Sequence, residues 1–507
     1  MDTPRRSSPP LRSPEERRGD PKNNRWTARE LLDLVLDAGT FDSWDEPIDL
    51  AYADALPDPG YRAALEAAAE KAGTDESVLT GRGEVRGRPV AVVVNEFGFL
   101  AGSIGRAAAD RITSAVRRAT AEGLPLLAST ASGGTRMQEG TPAFVRMAEI
   151  SRALMDHRAA GLPYLVHLRH PTTGGVYASW GSLGHVTVAE PGALVGFLGP
   201  KVYEALNGRP FRPGVQVAEN LAAAGVIDGV VAAEDLPAMV DSALAVLVDA
   251  PGPGVLPVRA ARAVGDHDAW DSIERTRRTD RVGLRDVLAH GATGTLRLRG
   301  TDEGERDSTV MVALTRLDDQ PCVVVGQDRA RQAPGHAMGP GALREARRGM
   351  RLAEELGLPL VTVIDTPGAE LSPDAEERAI AGEIARCIAT LTTMSVPTVS
   401  VVLGQGCGGG ALAFLPARAV IATEHAWLSP LPPEGASVIV HGDVSHAAEM
   451  ASRQRVRASD LLADGIVQHV VPEVDGEPAR DLAVAVAAEV SALLREMTGR
   501  TPVAHAS

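Results

Sequence analysis

Two short stretches hold the residues best placed for chemistry: Pro171-Thr-Thr-Gly-Gly-Val-Tyr-Ala-Ser and Gly404-Gln-Gly-Cys-Gly-Gly-Gly-Ala-Leu. Each follows an apolar run that reads as a buried strand, Leu162-Pro-Tyr-Leu-Val-His-Leu and Val396-Pro-Thr-Val-Ser-Val-Val-Leu. Paired glycines between a strand and a helix start leave backbone N–H groups without partners in the helix and aimed at any anion ahead. Such donors suit a reaction that gathers negative charge on one oxygen, as a thioester enolate does; losing one donor costs about 2.7–4 kcal/mol of barrier. Glycines also serve simply to make tight turns. Two matched stretches favour the functional reading: a pair of oxyanion pockets that stabilise enolates.

Other candidates are weaker. Gly404-Gln-Gly-Cys-Gly-Gly fits a dinucleotide-binding G-x-G-x-x-G, with Glu424 near the end of the next strand. Only Gly410 to Arg418 remain for the crossover helix, and Pro416 interrupts it. Cys407 lacks a nucleophile elbow, since Gln405 stands where glycine is required, and reads as buried and inert. His167 and His170 lie on a strand-to-loop segment and need not face together, so no metal site is expected. Ser132 has no base supplied by any pattern. Asp365 and Glu434 read as surface or capping groups. Arg136, with nearby Arg146, opens either a solvated helix start or a hold on an anionic ligand. Arg344, Arg347, Arg348 and Arg351 read as a solvated helix face.

The elements that must position these stretches recur. In the first half a helix, Ile112 to Glu122, stops at Gly123-Leu-Pro, a strand runs to Thr130, and Ser132-Gly-Gly-Thr follows. A second helix, Ala143 to Ala159, leads through Gly161-Leu-Pro into the first glycine stretch. In the second half the helix is Ala342 to Glu355, the stop Gly357-Leu-Pro, the strand Leu360 to Asp365, and Thr366-Pro-Gly-Ala stands in place of Ser132-Gly-Gly-Thr. Pro125 and Pro359 lie 234 positions apart, as do Pro163 and Pro397 (397 − 163). The same offset carries Ser132 onto Thr366 and Gly174 onto Gly408, which indicates duplicated domains. The seam falls near Asp249-Ala-Pro-Gly-Pro-Gly-Val-Leu-Pro. This sets expected domains at 26–250 and 251–507 after a disordered tail, residues 1–25. Trp270 to Leu288 reads as one charged helical stretch, and Val310 to Val325 as a hairpin.

Composition bounds the rest. A chain of 507 residues with a net charge of −15 and few aromatics suits close helix-on-sheet packing and argues against nucleic acid or an anionic membrane as partner. Three scattered cysteines form neither a disulfide framework nor a zinc ribbon. No apolar run approaches a membrane span and no signal core opens the chain, so the expected compartment is the cytoplasm.

These motifs carry a resemblance. Ser132-Gly-Gly-Thr-Arg-Met-Gln-Glu-Gly, Pro171-Thr-Thr-Gly-Gly-Val and Ala189-Glu-Pro-Gly-Ala-Leu-Val-Gly-Phe-Leu-Gly-Pro resemble the β subunit of the bacterial acetyl-CoA carboxylase carboxyltransferase. Ile364-Asp-Thr-Pro-Gly-Ala, Ala375-Glu-Glu-Arg, Gly408-Gly-Gly-Ala-Leu and Pro433-Glu-Gly-Ala resemble its α subunit. The match spans about residues 26 to 500, as in a β–α fusion. Departures include the missing four-cysteine zinc ribbon and Gly406-Cys-Gly-Gly-Gly in place of Gly-Gly-Ser-Gly-Gly.

The resemblance implies an α/β protein of two tandem crotonase-like (ClpP/crotonase, spiral ββα) domains. Acyl-CoA would sit on the N-terminal domain and carboxybiotin on the C-terminal one. Active sites would form between subunits of a homo-oligomer, a dimer or higher. Biotin would arrive on a separate carrier protein charged by a separate biotin carboxylase, with no metal. The resemblance maps one oxyanion hole onto Gly174, Gly175 and Val176 and the other onto Gly409, Gly410 and Ala411. Ser132, Gly133, Gly134, Arg136, Gly102, Ser103, Thr173, Pro367 and Gly368 would line the substrates. The implied reaction carries a carboxyl group from carboxybiotin to a short acyl-CoA, acetyl-CoA giving malonyl-CoA. The alternatives are a biotin-independent malonyl-thioester decarboxylase and a non-catalytic scaffold that binds the carrier.

Overall fold

The computed structural model describes residues 25–500 except 55, 57, 261, 263 and 334; the expected tail, apart from Arg25, lies outside them. The chain forms two compact units. One takes residues up to Ala222 together with Gly229–Asp241, the other Ala223–Asp228 with everything from Ser242 on.

The first unit is built on strands β1 (Asp42–Ser43), β2 (Val78–Val85), β3 (Arg88–Asn95), β4 (Leu126–Ser132), β5 (Tyr164–Thr173), β6 (Val186–Ala189), β7 (Val195–Gly196) and β8 (Gly229–Val230). Their order is β1-β2-β3-β4-β5-β6-β8: antiparallel through β3, parallel beyond it. Strand β5 outruns β6, and its last residues, Thr172 and Thr173, pair with β7 on that side while Thr172 still pairs with Ser132 of β4.

The second unit repeats the plan with β9 (Ala292–Leu298), β10 (Val310–Leu317), β11 (Gln320–Gln327), β12 (Leu360–Thr366), β13 (Thr398–Cys407), β14 (Ala419–Thr423), β15 (Trp427–Ser429) and β16 (His469–Val471). The order is β16-β14-β13-β12-β11-β10-β9, and the end of β13 pairs with β15 as β5 does with β7. Strands β4 and β12, β5 and β13, and the helices Arg106–Ala121 and Pro340–Glu355 all match at the offset of 234. Even the register shift in the ladder recurs, between Thr130 and Ser132 and between Ile364 and Thr366.

The Gly-Leu-Pro punctuation has a plain cause. Gly123 and Gly357 take positive φ (67° and 64°), the left-handed residue that ends a helix. The next amide then turns back five residues: Leu124 N–H to Ala119 O and Leu358 N–H to Ala353 O, each 2.9 Å. Proline follows where the helix can no longer continue. The strands beyond are buried on both faces, as parallel strands covered by helices must be. In the second unit Val361, Val363, Val399 and Val401 pack with Leu482, Val486, Val490 and Leu494 of the last helix, Ala479–Arg500.

The expected helical stretch from Trp270 divides into two helices, Ala269–Arg277 and Leu284–His290. Among the described residues no helix is long and apolar enough to cross a membrane.

Candidate active site

Both glycine stretches fold as expected, strand into one-turn helix. Gly174 and Gly408 share a φ of 63°, which lets the chain leave β5 and β13 and turn at once into Gly174–Tyr177 and Gly408–Leu412. Gly174 N–H is spent on Phe197 O (2.9 Å). Ala411, fourth in its helix, turns its amide back on the carbonyl of the cap residue Cys407; the amides of Gly175, Val176, Gly409 and Gly410 have no acceptor among the described residues. They lie in the first turn, where a helix supplies no partner of its own. At the offset of 234, Gly408-Gly409-Gly410 correspond to Gly174-Gly175-Val176, and Ala411 to Tyr177.

A second loop braces each cradle from the side. Ser132 Oγ accepts from Gly134 N–H (3.0 Å), and Thr366 Oγ1 accepts from Gly368 N–H (3.1 Å). Beyond them, Ile104 bridges Thr135 and Met338 bridges Ala369. Gly133 donates its N–H to Ala101 O at 2.9 Å. Gly134 and Gly174 meet backbone to backbone: a Cβ on either would sit 3.2–3.3 Å from the other's Cα. Gly102 (φ 64°) packs so closely on the end of β4 that a Cβ there would lie 2.0 Å from Ala131 O. Thr173 Oγ1 donates to Ser132 O at 3.3 Å. Pro367 is exposed and Gly368 half-buried.

Several side chains stand where the sequence did not put them. Arg136 is fully buried and therefore no solvated helix start. Its guanidinium binds both oxygens of Glu76, the Ser103 carbonyl (2.7 Å), and the hydroxyls of Ser77, Ser103 and Tyr61. Burial opposes that charge, but Glu76 outweighs it and holds the guanidinium firmly protonated. Ser103, expected at the substrate, thus helps to hold Arg136. Ser132 Oγ is likewise committed, donating to Gly102 O at 2.6 Å.

Asp365 is no surface group either. It is fully buried at the end of β12, and burial pushes its carboxyl up to about 6, with Arg329 pulling the other way. One carboxylate oxygen accepts from Gln405 N–H (3.1 Å); the other faces the Arg329 guanidinium at 3.6 Å. Gln327 links this point to the cradle: its Oε1 accepts from Asp365 N–H (2.9 Å), and its Nε2 donates to Gly410 O (2.8 Å). Gln332 donates to Asp365 O and accepts from the Thr366 hydroxyl. The one sequence signal for this cluster was an acid beside Thr-Pro-Gly at a strand end.

The helix carrying Arg344, Arg347, Arg348 and Arg351 is not a solvated face. Arg348 is buried on Asp228 (2.8 and 3.0 Å), while Arg344 and Arg347 share Glu383. Glu434 pairs with Arg277, which holds it below the usual carboxylate range. Cys407 is buried, and its thiol is pushed up to about 12, as an inert cysteine requires. Glu424 anchors structure rather than a ribose: desolvation opposes its charge, but the Glu473 amide, His267 and Arg262 prevail and hold it at about 2. His167 and His170 do not converge on an ion; they bind Ser129 Oγ (3.1 Å) and Leu194 N–H (3.0 Å).

Known proteins resemble this chain over most of its length. The carboxyl transferase domain family matches residues 20–472. A probable biotin-dependent acyl-coenzyme A carboxylase beta3 subunit of Mycobacterium tuberculosis is 58% identical, over 93% of this chain and 95% of its own. The acetyl-coenzyme A carboxylase carboxyl transferase subunits beta/alpha of Saccharopolyspora erythraea is 36% identical, over 94% and 85%. Among solved structures, the transcarboxylase 12S hexamer with hydrolyzed methylmalonyl-coenzyme A bound superposes with a TM-score of 0.75, covering 95% of this chain and 91% of its own at 21% identity.

Proposed function

The chain belongs to the carboxyl transferase domain family and is the carboxyltransferase of a biotin-dependent acyl-CoA carboxylase, with biotin borne on a separate carrier; from that premise we propose that its acyl substrate is acetyl-CoA and its product malonyl-CoA. The carboxyltransferase named for acetyl-coenzyme A, at 36% identity over most of the chain, supports the short acyl group.

The observation that carries the mechanism is the pair of first-turn amide sets, one in each unit. We assign Gly175 and Val176 to one transient oxyanion and Gly409 and Gly410 to the other, on the thioester and on the biotin ureido group. Biotin supplies the carboxyl group when bound. The chain's own part is to hold charge on the two oxygens with fixed dipoles that need no reorganisation during the reaction. Asp365, Ser132 and Arg136 then act as supports, shaping the loops rather than moving protons at the substrate.

Domains 26–250 and 251–507 serve the acyl-CoA and carrier sides respectively, and sites assemble from different copies of the chain. Exposed apolar side chains beyond each cradle, Phe197, Val202 and Leu206 in one unit and Val438, Ile439 and Val440 in the other, support assembly into a homo-oligomer.

The test supplies carrier and biotin carboxylase to the purified chain and offers acetyl-, propionyl- and butyryl-CoA in turn. Highest kcat/KM with acetyl-CoA is expected; preference for a longer chain overturns the acetyl assignment. Malonyl-CoA decarboxylation that runs undiminished without biotin or biocytin would replace carboxyl transfer by simple decarboxylation.

A further inference from the structure

The segment that wraps the second cradle faces two ways. Gln327 and Gln332 brace the cradle, while Asp328 and Arg331 line a cavity of about 600 Å3. Five arginines border that cavity: Arg285, Arg297, Arg299, Arg306 and Arg331. They come from the helix Leu284–His290, from β9, from the loop before β10 and from the turn after β11, so no single helix face accounts for them.

Arg285 is neutralised by Asp328 (2.6 Å). The other four make no ion pair among the described residues. Two further acids border the cavity, and one oxygen of Asp307 is left without a bond among the described residues. Asp307 binds Thr309 through N–H (2.9 Å) and hydroxyl (2.6 Å). Glu345 accepts from Gly300 and Asp307 N–H (3.0 and 3.1 Å), and burial pushes it up to about 7. Burial first, then the charges of Arg285, Arg299 and Arg306, hold the Arg297 guanidinium below its ordinary value. On a chain of net charge −15, this is a local reversal of sign that repels itself.

The first unit shows that the scaffold does not demand it. The cavity on the matching segment there, about 690 Å3, is bordered by Phe97, Leu100 and Ala101, with only Arg25 and Lys71 as cations. Planar guanidinium forks bordering a concave site match the paired oxygens of phosphate groups. We propose that the cavity of the second unit binds a small anion carrying two or more phosphate groups. This stands apart from the carboxyl-transfer reading.

The test is isothermal titration of the full chain with sodium pyrophosphate at low ionic strength, with ADP as a second arm and sulfate at matched ionic strength as control. Pyrophosphate is expected to bind more tightly than sulfate. The double variant R297S/R306S should weaken it about tenfold or more while the thermal midpoint stays put. The variant R297K/R306K keeps the charge but loses the forks, and should fall between the two. Parallel loss of ADP affinity in the variants extends the site to nucleotides; loss for pyrophosphate alone keeps it to inorganic phosphates. Pyrophosphate binding no tighter than sulfate, or equal in both variants, overturns the proposal. So does a glutamate-rich peptide that occupies these arginines where pyrophosphate fails.

Discussion

The two units share a backbone and differ in what holds it. Both cradles turn on a glycine at φ 63°, both are flanked by a hydroxyl that accepts a glycine amide two residues on, and both rest on a parallel bridge at matching positions. In the first unit the bracing is main chain on main chain, Gly134 against Gly174 and Gly102 against Ala131, with the buried Arg136–Glu76 pair behind. In the second, main chain also meets main chain at Gly410 and Ala369, but the residue matching Ala131 is Asp365, which Gln327 ties to the cradle and Gln332 to the Thr366 loop. A strand–turn–helix path can thus be inherited as geometry while its supports are rebuilt from different chemistry.

The largest contrast lies in the Arg136 pair. Arg136→Met leaves Glu76 buried without its cation and is expected to cost about 3–5 kcal/mol. The matching residue in the second unit is Glu370, half-buried and bonded to Ser372 Oγ (2.7 Å). Its replacement by alanine should cost under about 1 kcal/mol. Urea unfolding of both variants checks this; equal losses would erase the asymmetry.

Next come the cradles themselves, where the two units should behave alike. Proline is tolerated in the first turn of a helix and removes the amide hydrogen there, while its ring displaces side-chain ends, Thr135 Oγ1 at 2.9 Å from a Cβ on Gly175 and Ile384 Cδ1 at 2.7 Å from one on Gly409. Gly175→Pro and Gly409→Pro should each lower kcat about 10²–10³-fold, with KM for acyl-CoA little changed. Steady-state carboxyl transfer measures it. A variant that keeps the wild-type rate would remove its cradle from the chemistry.

Asp365 gives a contrast that pH can resolve. Its carboxyl titrates at about 6 in the folded chain, against an ordinary value near 3.8. The folded state therefore binds the proton more tightly, so this group's contribution is most favourable below pH ~3.8 and is lost as pH rises to about 6. Asp365→Asn should be more stable than the parent above pH 6 by on the order of 1–3 kcal/mol, with the difference vanishing toward pH 4. Chemical unfolding across that range tests it. Ala131→Gly, at the matching position, should show no pH-dependent difference.

The path of the backbone was legible because it is written locally. Gly-Leu-Pro stops, apolar strands and glycine pairs each act within a few residues, and the offset of 234 aligns them along the chain. The supports were not legible, because their partners are remote: Glu76 precedes Arg136 by 60 positions, Gln327 precedes Asp365 by 38, and Asp228 precedes Arg348 by 120. A charged residue read alone defaults to the surface; strand pairing turns Asp365 inward, and packing of the helix Pro340–Glu355 against Asp228 does so for Arg348. Splitting of the helical stretch at Arg278–Gly283 followed the same rule. Charge density there suggested helix, while Arg281 is drawn out to Glu473 (2.9 Å), far along the chain.

The smallest effect separates the loops most finely. Ser132 and Thr366 accept matching glycine amides, so losing either hydroxyl leaves one N–H unpaired, that of buried Gly134 or half-buried Gly368, at about 1–2 kcal/mol. What each donates to differs. Ser132 donates to the Gly102 carbonyl, fixed by a backbone that packs against Ala131. Thr366 donates to the side-chain oxygen of Gln332, at 2.6 Å, which can swing to another partner. Ser132→Ala should therefore sit at the upper end of that range and Thr366→Val at the lower, since a rigid acceptor cannot find a substitute. Thermal unfolding of both variants under one condition tests the order. The reverse order would mean that the glutamine scaffold of the second unit is stiffer than main-chain packing in the first.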